Sequence, residues 1–413
     1  MQTFMTETNQ IPVAGEYDVI VAGGGPAGIG AAYASAAAGA KTLLVEQMNF
    51  LGGMWTGGLV NPIFDFQNKS GLLKKIVDEL KKRNVWGGMW DMCFQIEEMK
   101  CLLDEYMEEA GVHVLCGTVF SKPIMEDNTI KGIIVENKNG RSAFLGKMII
   151  DCTGDADVAS RAGVTCHKGR EEDDMVQAMT LMFLLGNVRY DQQSCDDVFN
   201  LVLKANKEHG QDFLLPYERP YIIQLPASNM AVVQLTHMRG FEPLDAFDLT
   251  KVNKIGREQA RAVVAFLKKY VPELKDIELV QTAPLLGVRE SRRIVGEYTI
   301  TLQDLTEGKQ FPDGITDVTF GVDIHSPDGS DQKCFNVPQY QIPFRCLIPK
   351  GMNNLLVAGR CISGTHEAMA SYRVTGNCIA MGEAAGYAAY EAVTQKKDVR
   401  KIDIDEIKKH IIK

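Results

Sequence analysis

The stretch SGTHEAMASYR near the C-terminus sets His366, Tyr372 and Arg373 close together. An imidazole titrates near neutral pH, so a histidine can take or give one proton. A guanidinium presents a rigid fork of donors that matches a carboxylate or a phosphate. The same two residue types recur at His237, Arg289, Arg292, His325 and Arg345, with Tyr340 nearby in the chain. The expected chemistry is proton transfer at His366 beside an anion clamp at Arg373, with Arg289 and Arg292 as further catalytic candidates. Arg289, Glu290, Arg292 and Arg293 fit a structural ion-pair cluster equally well, and His325 in DIHSPDG fits a loop histidine.

The other stretch suited to chemistry is DVIVAGGGPAGIGAAYASAAAGAKTLLVE, residues 18–46. Gly23, Gly25 and Gly28 spell G-x-G-x-x-G between an unbroken apolar strand and an alanine-rich helix. In such a unit the first glycine makes the tight turn. The second admits a pyrophosphate to the backbone, and the third lets helix and strand pack closely. The amide groups at the helix start then face the phosphates. Glu46 closes the next strand at the spacing expected of an acid on a ribose diol, and it would repel a 2′-phosphate. The unit implies a bound dinucleotide other than NADP.

Three later features favour FAD over NAD. FLGGMWTGGLV follows Glu46 almost at once, and so many glycines suggest backbone pressed against a flat or charged ligand. The apolar strand KMIID then runs into Thr153-Gly154-Asp155, after hairpin-like segments with Asn139-Gly140 as a turn signal. Finally, LLVAG precedes a long helix of small residues over 376–393, whose N-terminal end suits an atom that becomes anionic. A reduced flavin has such an atom at N1–C2=O, and NADH has none comparable.

With GVRESRRIVGEYTIT and YQIPFRCLIPKGMNNLLVAGRCIS between them, these motifs follow one another in the order found in the FAD-dependent oxidoreductase family, which the chain resembles over nearly its whole length. The resemblance implies a resident FAD in a glutathione-reductase-like domain. It places Gly23, Gly25, Gly28, Glu46, Gly53, Thr153, Gly154, Asp155, Gly359, Arg360 and Gly376 around the cofactor, with backbone at Val119 on the adenine. Pro26, Ala27, Gln47, Gly52, Met54 and Asn377 flank them in the same site. The sequence departs from the family at Gly359-Arg360, where many members carry Gly-Asp; Arg360 is expected on phosphate or flavin instead.

These residues need elements to hold them. The reading is an α/β chain with a discontinuous Rossmann-like FAD-binding domain built from 1–165 and 344–413. A mixed, mostly antiparallel α+β cap over 166–343 would carry the substrate side. Within the cap, MTLMFLL, PYIIQL and MAVVQLTHM read as strands, and 196–208 and 250–270 as helices. A further helix is expected over 96–110, and RKIDIDEIKKHIIK reads as a surface helix.

Bulk properties narrow the function. A chain of 413 residues suggests two or three domains, and a net charge of −9 argues against a nucleic-acid partner. Ten cysteines are scattered with no Cys-x-x-Cys, so neither a zinc knuckle nor a redox pair is expected, and no metal site. With no leader or membrane span visible, the chain is expected in the cytoplasm. The leading expectation is an enzyme passing a hydride between tightly bound flavin and a small polar, anionic substrate, with NAD(P)H or another electron partner. Alternatives are a tRNA-modifying flavoprotein, a thiazole-synthase-like protein that consumes a dinucleotide and donates cysteine sulfur, and a non-catalytic flavin protein.

Overall fold

The computed structural model describes residues 5, 7–188, 195–211, 215–217, 219–329 and 332–411. Its main sheet begins with β1 (Val13–Ala22), which feeds α1 (Pro26–Ala37) and then β2 (Thr42–Val45). β3 (His113–Leu115) lies parallel to β2, and β2 is parallel to β1. β4 (Val119–Glu126), β5 (Thr129–Asn137) and β6 (Gly140–Asp151) form an antiparallel meander. β6 does two jobs. Its first half pairs with β5, while its last residues run parallel to β7 (Leu355–Val357), with β1 alongside throughout. The C-terminal part of the chain thus returns to the sheet that the N-terminal part began.

β1, β2 and the end of β6 are apolar on both faces because helices cover one side and the meander the other. His113–Leu115, read in the sequence as part of the hairpin region, instead extends the parallel edge. A three-residue strand carries too little pattern to reveal its partner.

After β7 come α2 (His366–Tyr372) and α3 (Thr375–Gln395). α3 crosses α1 at backbone contact. A Cβ added at Gly382 would strike the carbonyl oxygen of Ala27, one at Gly30 that of Ile379, and one at Gly386 that of Ala31. The glycines and alanines of α3 therefore serve a helix–helix crossing along most of its length, and only its first turn reaches the cavity described below.

The middle of the chain forms a separate four-stranded antiparallel sheet in the order Tyr221–Gln224, Ala231–Gln234, Phe183–Gly186, Glu278–Thr282. Helices Cys195–His209 and Ala246–Tyr270 pack on it through Val202, Val263, Phe266 and Leu267. The first expected strand of the cap is shorter than its apolar run: Met179 and Thr180 make only single bridges, to Met238 and Gly287. Ile404–Ile411 is a helix with Ile407 buried in the main core. No helix among the described residues is long and apolar enough to cross a membrane.

Glu383 on α3 is buried and accepts the Leu72 amide (2.9 Å), which caps the helix Gly71–Lys82. Burial pushes its carboxyl up to about 8. The unfolded chain releases this proton near 4.5, so stability present below that pH is lost as pH rises towards 8. Glu383→Gln keeps an acceptor for Leu72 without the charge. Its melting temperature should rise relative to the parent between pH 5 and pH 8, with the free-energy gap widening by up to about 1.4 kcal/mol per pH unit. A gap independent of pH would show that Glu383 is already ionised in the fold.

Candidate functional site

Two cavities meet beneath the cap. The rear one, about 570 Å³, lies between the β1–α1 turn, the ends of β2 and β6, and the chain after β7. Gly23, Gly25, Pro26, Ala27, Glu46, Gln47, Gly53, Met54, Val119, Thr153, Gly154, Asp155, Gly359 and Arg360 all line it. Four residues expected there do not. Gly28 is a glycine because Gly23 oxygen occupies the place of a side chain, and Gly52 faces the Thr56 side chain. Gly376 abuts the carbonyl of Phe64, and Asn377 is fully buried outside the lining, its amide without a partner among the described residues. At the start of α3 it is Thr375 that reaches the cavity, and its hydroxyl is buried without a partner among the described residues.

Glu46 holds the glycine turn from behind: its two oxygens accept the amides of Gly24 (2.6 Å) and Met48 (2.7 Å). Asp151, the last residue of β6, is buried and fixes the next turn by accepting from the Thr153 amide (3.1 Å), the Thr153 hydroxyl (2.7 Å) and the Ala159 amide (2.9 Å). Arg360 clamps that turn from the far side. Its Nε donates to Gly154 oxygen (2.6 Å), and its other nitrogens donate to Val288 oxygen and Asp155. Arginine at 360 thereby ties the two ends of the chain to the cap. Arg292 is in the same bracket, donating from Nε to Asp155 oxygen (2.7 Å) and from Nη2 to Asp157. It lines neither cavity, although it was expected among the catalytic candidates.

His366 is likewise relocated. It lines neither cavity; its Nδ1 lies 2.9 Å from Glu290, which is paired with Arg293 in a buried cluster. As the first residue of α2 its ring turns inward to the Glu290 carboxylate. Arg345 pairs with Asp313 at the surface (2.9 Å).

The front cavity, about 510 Å³, shares Met54, Val288, Arg360, Arg373 and Thr375 with the rear one. Its rim is aromatic: Phe64, Trp90, Tyr221, Phe320 and Phe335 line it, with Trp90 and Phe335 partly in solvent. Its floor is polar. Arg289 spends Nη1 on Ala178 oxygen (2.8 Å) and the Thr180 hydroxyl (2.7 Å), and no acceptor among the described residues takes its other nitrogens. Arg373 donates from Nη2 to Asp323 oxygen (3.0 Å), while its buried Nε has no partner among the described residues. Burial and the Arg373 charge bring Arg289 down to about 10, and burial also lowers Arg373. Asp323 lies 3.8 Å from Arg373 and 3.3 Å from His325 Nε2. Burial works to raise its carboxyl, yet His325 and Arg373 hold it well below the usual range. His325 is no loop residue: it ends the strand Val322–His325 with its ring in the cavity wall. Asp323, Thr180 and the aromatic rim escaped the sequence reading. The one available signal was Asp323 and His325 two apart on one strand face.

The sequence profile of the family described as FAD dependent oxidoreductase matches residues 18–411. The chain belongs to that family. It is an FAD-dependent oxidoreductase enzyme, and its cofactor is FAD. The thiamine thiazole synthase of Methanococcus aeolicus is 29% identical over 211 residues, 47% of this chain and 77% of that enzyme. That of Aeropyrum pernix is 38% identical over 122 residues, 29% of this chain and 43% of that enzyme. Among solved structures, p-nitrophenol 4-monooxygenase PnpA from Pseudomonas putida DLL-E4 superposes with a TM-score of 0.50 at 9% identity, over 96% of this chain and 84% of that one. A triple mutant of the flavin-dependent brominase Bmp2 gives 0.50 at 13% identity, over 95% and 83%. These two share the fold, with its Rossmann-like FAD-binding sheet.

The rear cavity suits FAD on its own terms. No side chain caps α1, so its first amides are open to a phosphate. The backbones of Gly25 and Gly53 face one another bare, and Thr375 offers an unpartnered hydroxyl at the boundary with the front cavity.

Gly53 sits at φ +50°, and a Cβ there would lie 2.7 Å from Gly25 Cα. Gly53→Val should force the two loops apart and weaken FAD retention by about 1–3 kcal/mol, roughly 5- to 150-fold. Flavin absorbance after gel filtration measures this, with circular dichroism to show that the fold survives. Undiminished retention would mean that this glycine pair does not frame the cofactor.

Proposed function

We propose that this enzyme oxidises or reduces a small carboxylate with an apolar or aromatic body, bound in the front cavity. The observation that carries the reading is a charge imbalance. Arg289 and Arg373 stand half-buried on the cavity floor against one carboxylate, Asp323, whereas Arg360 is matched by Asp155. A half-buried cation without a counter-charge is poorly solvated, and an anionic ligand would relieve it. The free nitrogens of Arg289 provide the fork, and the aromatic rim would take the ligand's body.

Bound FAD supplies the two-electron chemistry. Met54, Val288, Arg360, Arg373 and Thr375 bound both cavities, so they would align cofactor and substrate. Proton handling falls to the imidazole in the cavity wall, His325, in place of His366. A two-electron partner such as NAD(P)H would complete the cycle. The net charge of −9 keeps nucleic acid outside the proposal.

Likeness to thiamine thiazole synthases raises a second reading, in which a cysteine surrenders its sulfur. The thiols on the rear cavity are Cys152 and Cys378; burial pushes Cys378 up to about 12 and Cys152 well above its ordinary value. Sulfur chemistry needs thiolate, which these sites disfavour. Intact protein mass should be unchanged after turnover; a loss of one sulfur would favour the thiazole reading.

For the leading proposal, monocarboxylates from acetate to phenylpropanoate, with their 2-hydroxy and 2-amino derivatives, are added anaerobically to the holoenzyme. Binders should shift the flavin spectrum and substrates should bleach it, while the matching amides do neither. Arg289→Met and Arg373→Met should each weaken binding by about 1.5–3 kcal/mol, roughly 10- to 150-fold. Amides binding as well as acids would overturn the assignment.

A further inference from the structure

We propose that the front cavity takes up its carboxylate together with one proton, which completes a hydrogen-bond chain from Thr236 through His237 and His325 to Asp323. This rests on the anion reading above and adds the destination of a proton.

The chain has three links. His237 Nδ1 lies 3.2 Å from Thr236 oxygen, and His237 Nε2 lies 3.3 Å from His325 Nδ1. His325 Nε2 lies 3.3 Å from Asp323 Oδ2. Both outer partners, a carbonyl and a carboxylate, can only accept. Each link therefore requires its own proton on a ring nitrogen. Two neutral imidazoles carry one such proton apiece, so one of the three links must go unmade. One proton more fills every link and leaves the pair with a single positive charge.

In the free protein the surroundings oppose that proton. Arg289 and Arg239 act on His237, and Arg289 and Arg373 act on His325; Asp323 is the one carboxylate that favours charging among the groups facing His325. Tyr217 stacks on His237 at 4.5 Å with the rings nearly parallel, and its hydroxyl bonds Gln332, which donates to Asp323. Burial, then the nearby guanidinium of Arg289, brings His237 down to about 2 and His325 to about 3. A carboxylate bound on Arg289 would cancel that repulsion and add attraction of its own. Anion and proton must then favour one another by the same factor, because linkage is reciprocal.

The balance is simple. A carboxylate and a solvent proton enter, no electrons move, and the filled cavity gains the composition of the neutral acid. His325 lines the cavity and so holds the proton beside the substrate. His237 lines neither cavity and is a positioning residue behind it.

The test is proton uptake at pH 6, read with an indicator dye in weakly buffered holoenzyme titrated with benzoate and phenylpropanoate, while the flavin spectrum reports binding. Binding with close to one proton taken up, and affinity falling up to about tenfold per pH unit above that, is the expected result. Binding without proton uptake overturns the inference and leaves the anion site standing. Failure of both acids to bind overturns the anion reading and this inference with it. His325→Gln should bind with no uptake and a flat pH profile; uptake retained in that variant would overturn the assignment to this pair. The parent's stoichiometry decides the matter even if the variant does not fold.

Discussion

Everything about this site depends on the crossing of α1 and α3 at backbone distance. Those helices come from opposite ends of the chain, and three glycines at the crossing leave no room for a side chain. One consequence is that the β1–α1 turn and the first residues of α3 open onto the same cavity. Larger residues on either helix would move the two apart, and the cavity would lose one wall. The same closeness explains why α3 is rich in glycine and alanine along its length, beyond the single turn that reaches the cofactor side. Packing fixes the geometry, and chemistry uses one end of it.

Around that crossing the structure fixes its turns with charge. Asp151 holds the turn after β6 from inside, while Arg360, beyond β7, and Arg292 hold it from the other side through Asp155 and Asp157. Arg360 makes three separate contacts there, on segments more than seventy residues apart in the chain. All three nitrogens of Arg360 and two of Arg292 are committed to the protein. The departure at position 360 thus changes what stiffens the site while leaving its cofactor unchanged.

Elsewhere the charges are arranged differently. His366, Glu290 and Arg293 form a closed group in which positive and negative partners meet. Arg289 and Arg373 do not close in this way, and the His237–His325 pair lies beside them with carbonyl and carboxylate acceptors at its ends. A buried site with spare positive charge and spare acceptors is poor at stabilising a fold and well suited to receiving a ligand. That contrast separates the floor of the front cavity from the closed ion pairs around it.

Much of the cofactor side was legible in the sequence, because its signals are local. A glycine turn between strand and helix, an acid at the end of the next strand and Thr153-Gly154-Asp155 each depend on a few neighbouring residues. Family resemblance, carried by the order of these motifs, was equally legible. Gly52 and Gly376 show the limit: sequence identifies a glycine that needs space but not which neighbour takes the space. The substrate side was decided by tertiary structure alone. Arg289, the Asp323–His325 strand and Arg373 come from three distant segments, and whether an arginine faces a cavity or a carboxylate depends on what folds opposite it. His366 stood in the right stretch of chain, but its ring meets Glu290, seventy-six positions earlier. Local pattern determined the elements and the cofactor; the fold alone determined which cavity gathers spare positive charge, because that sum depends on side chains from distant segments.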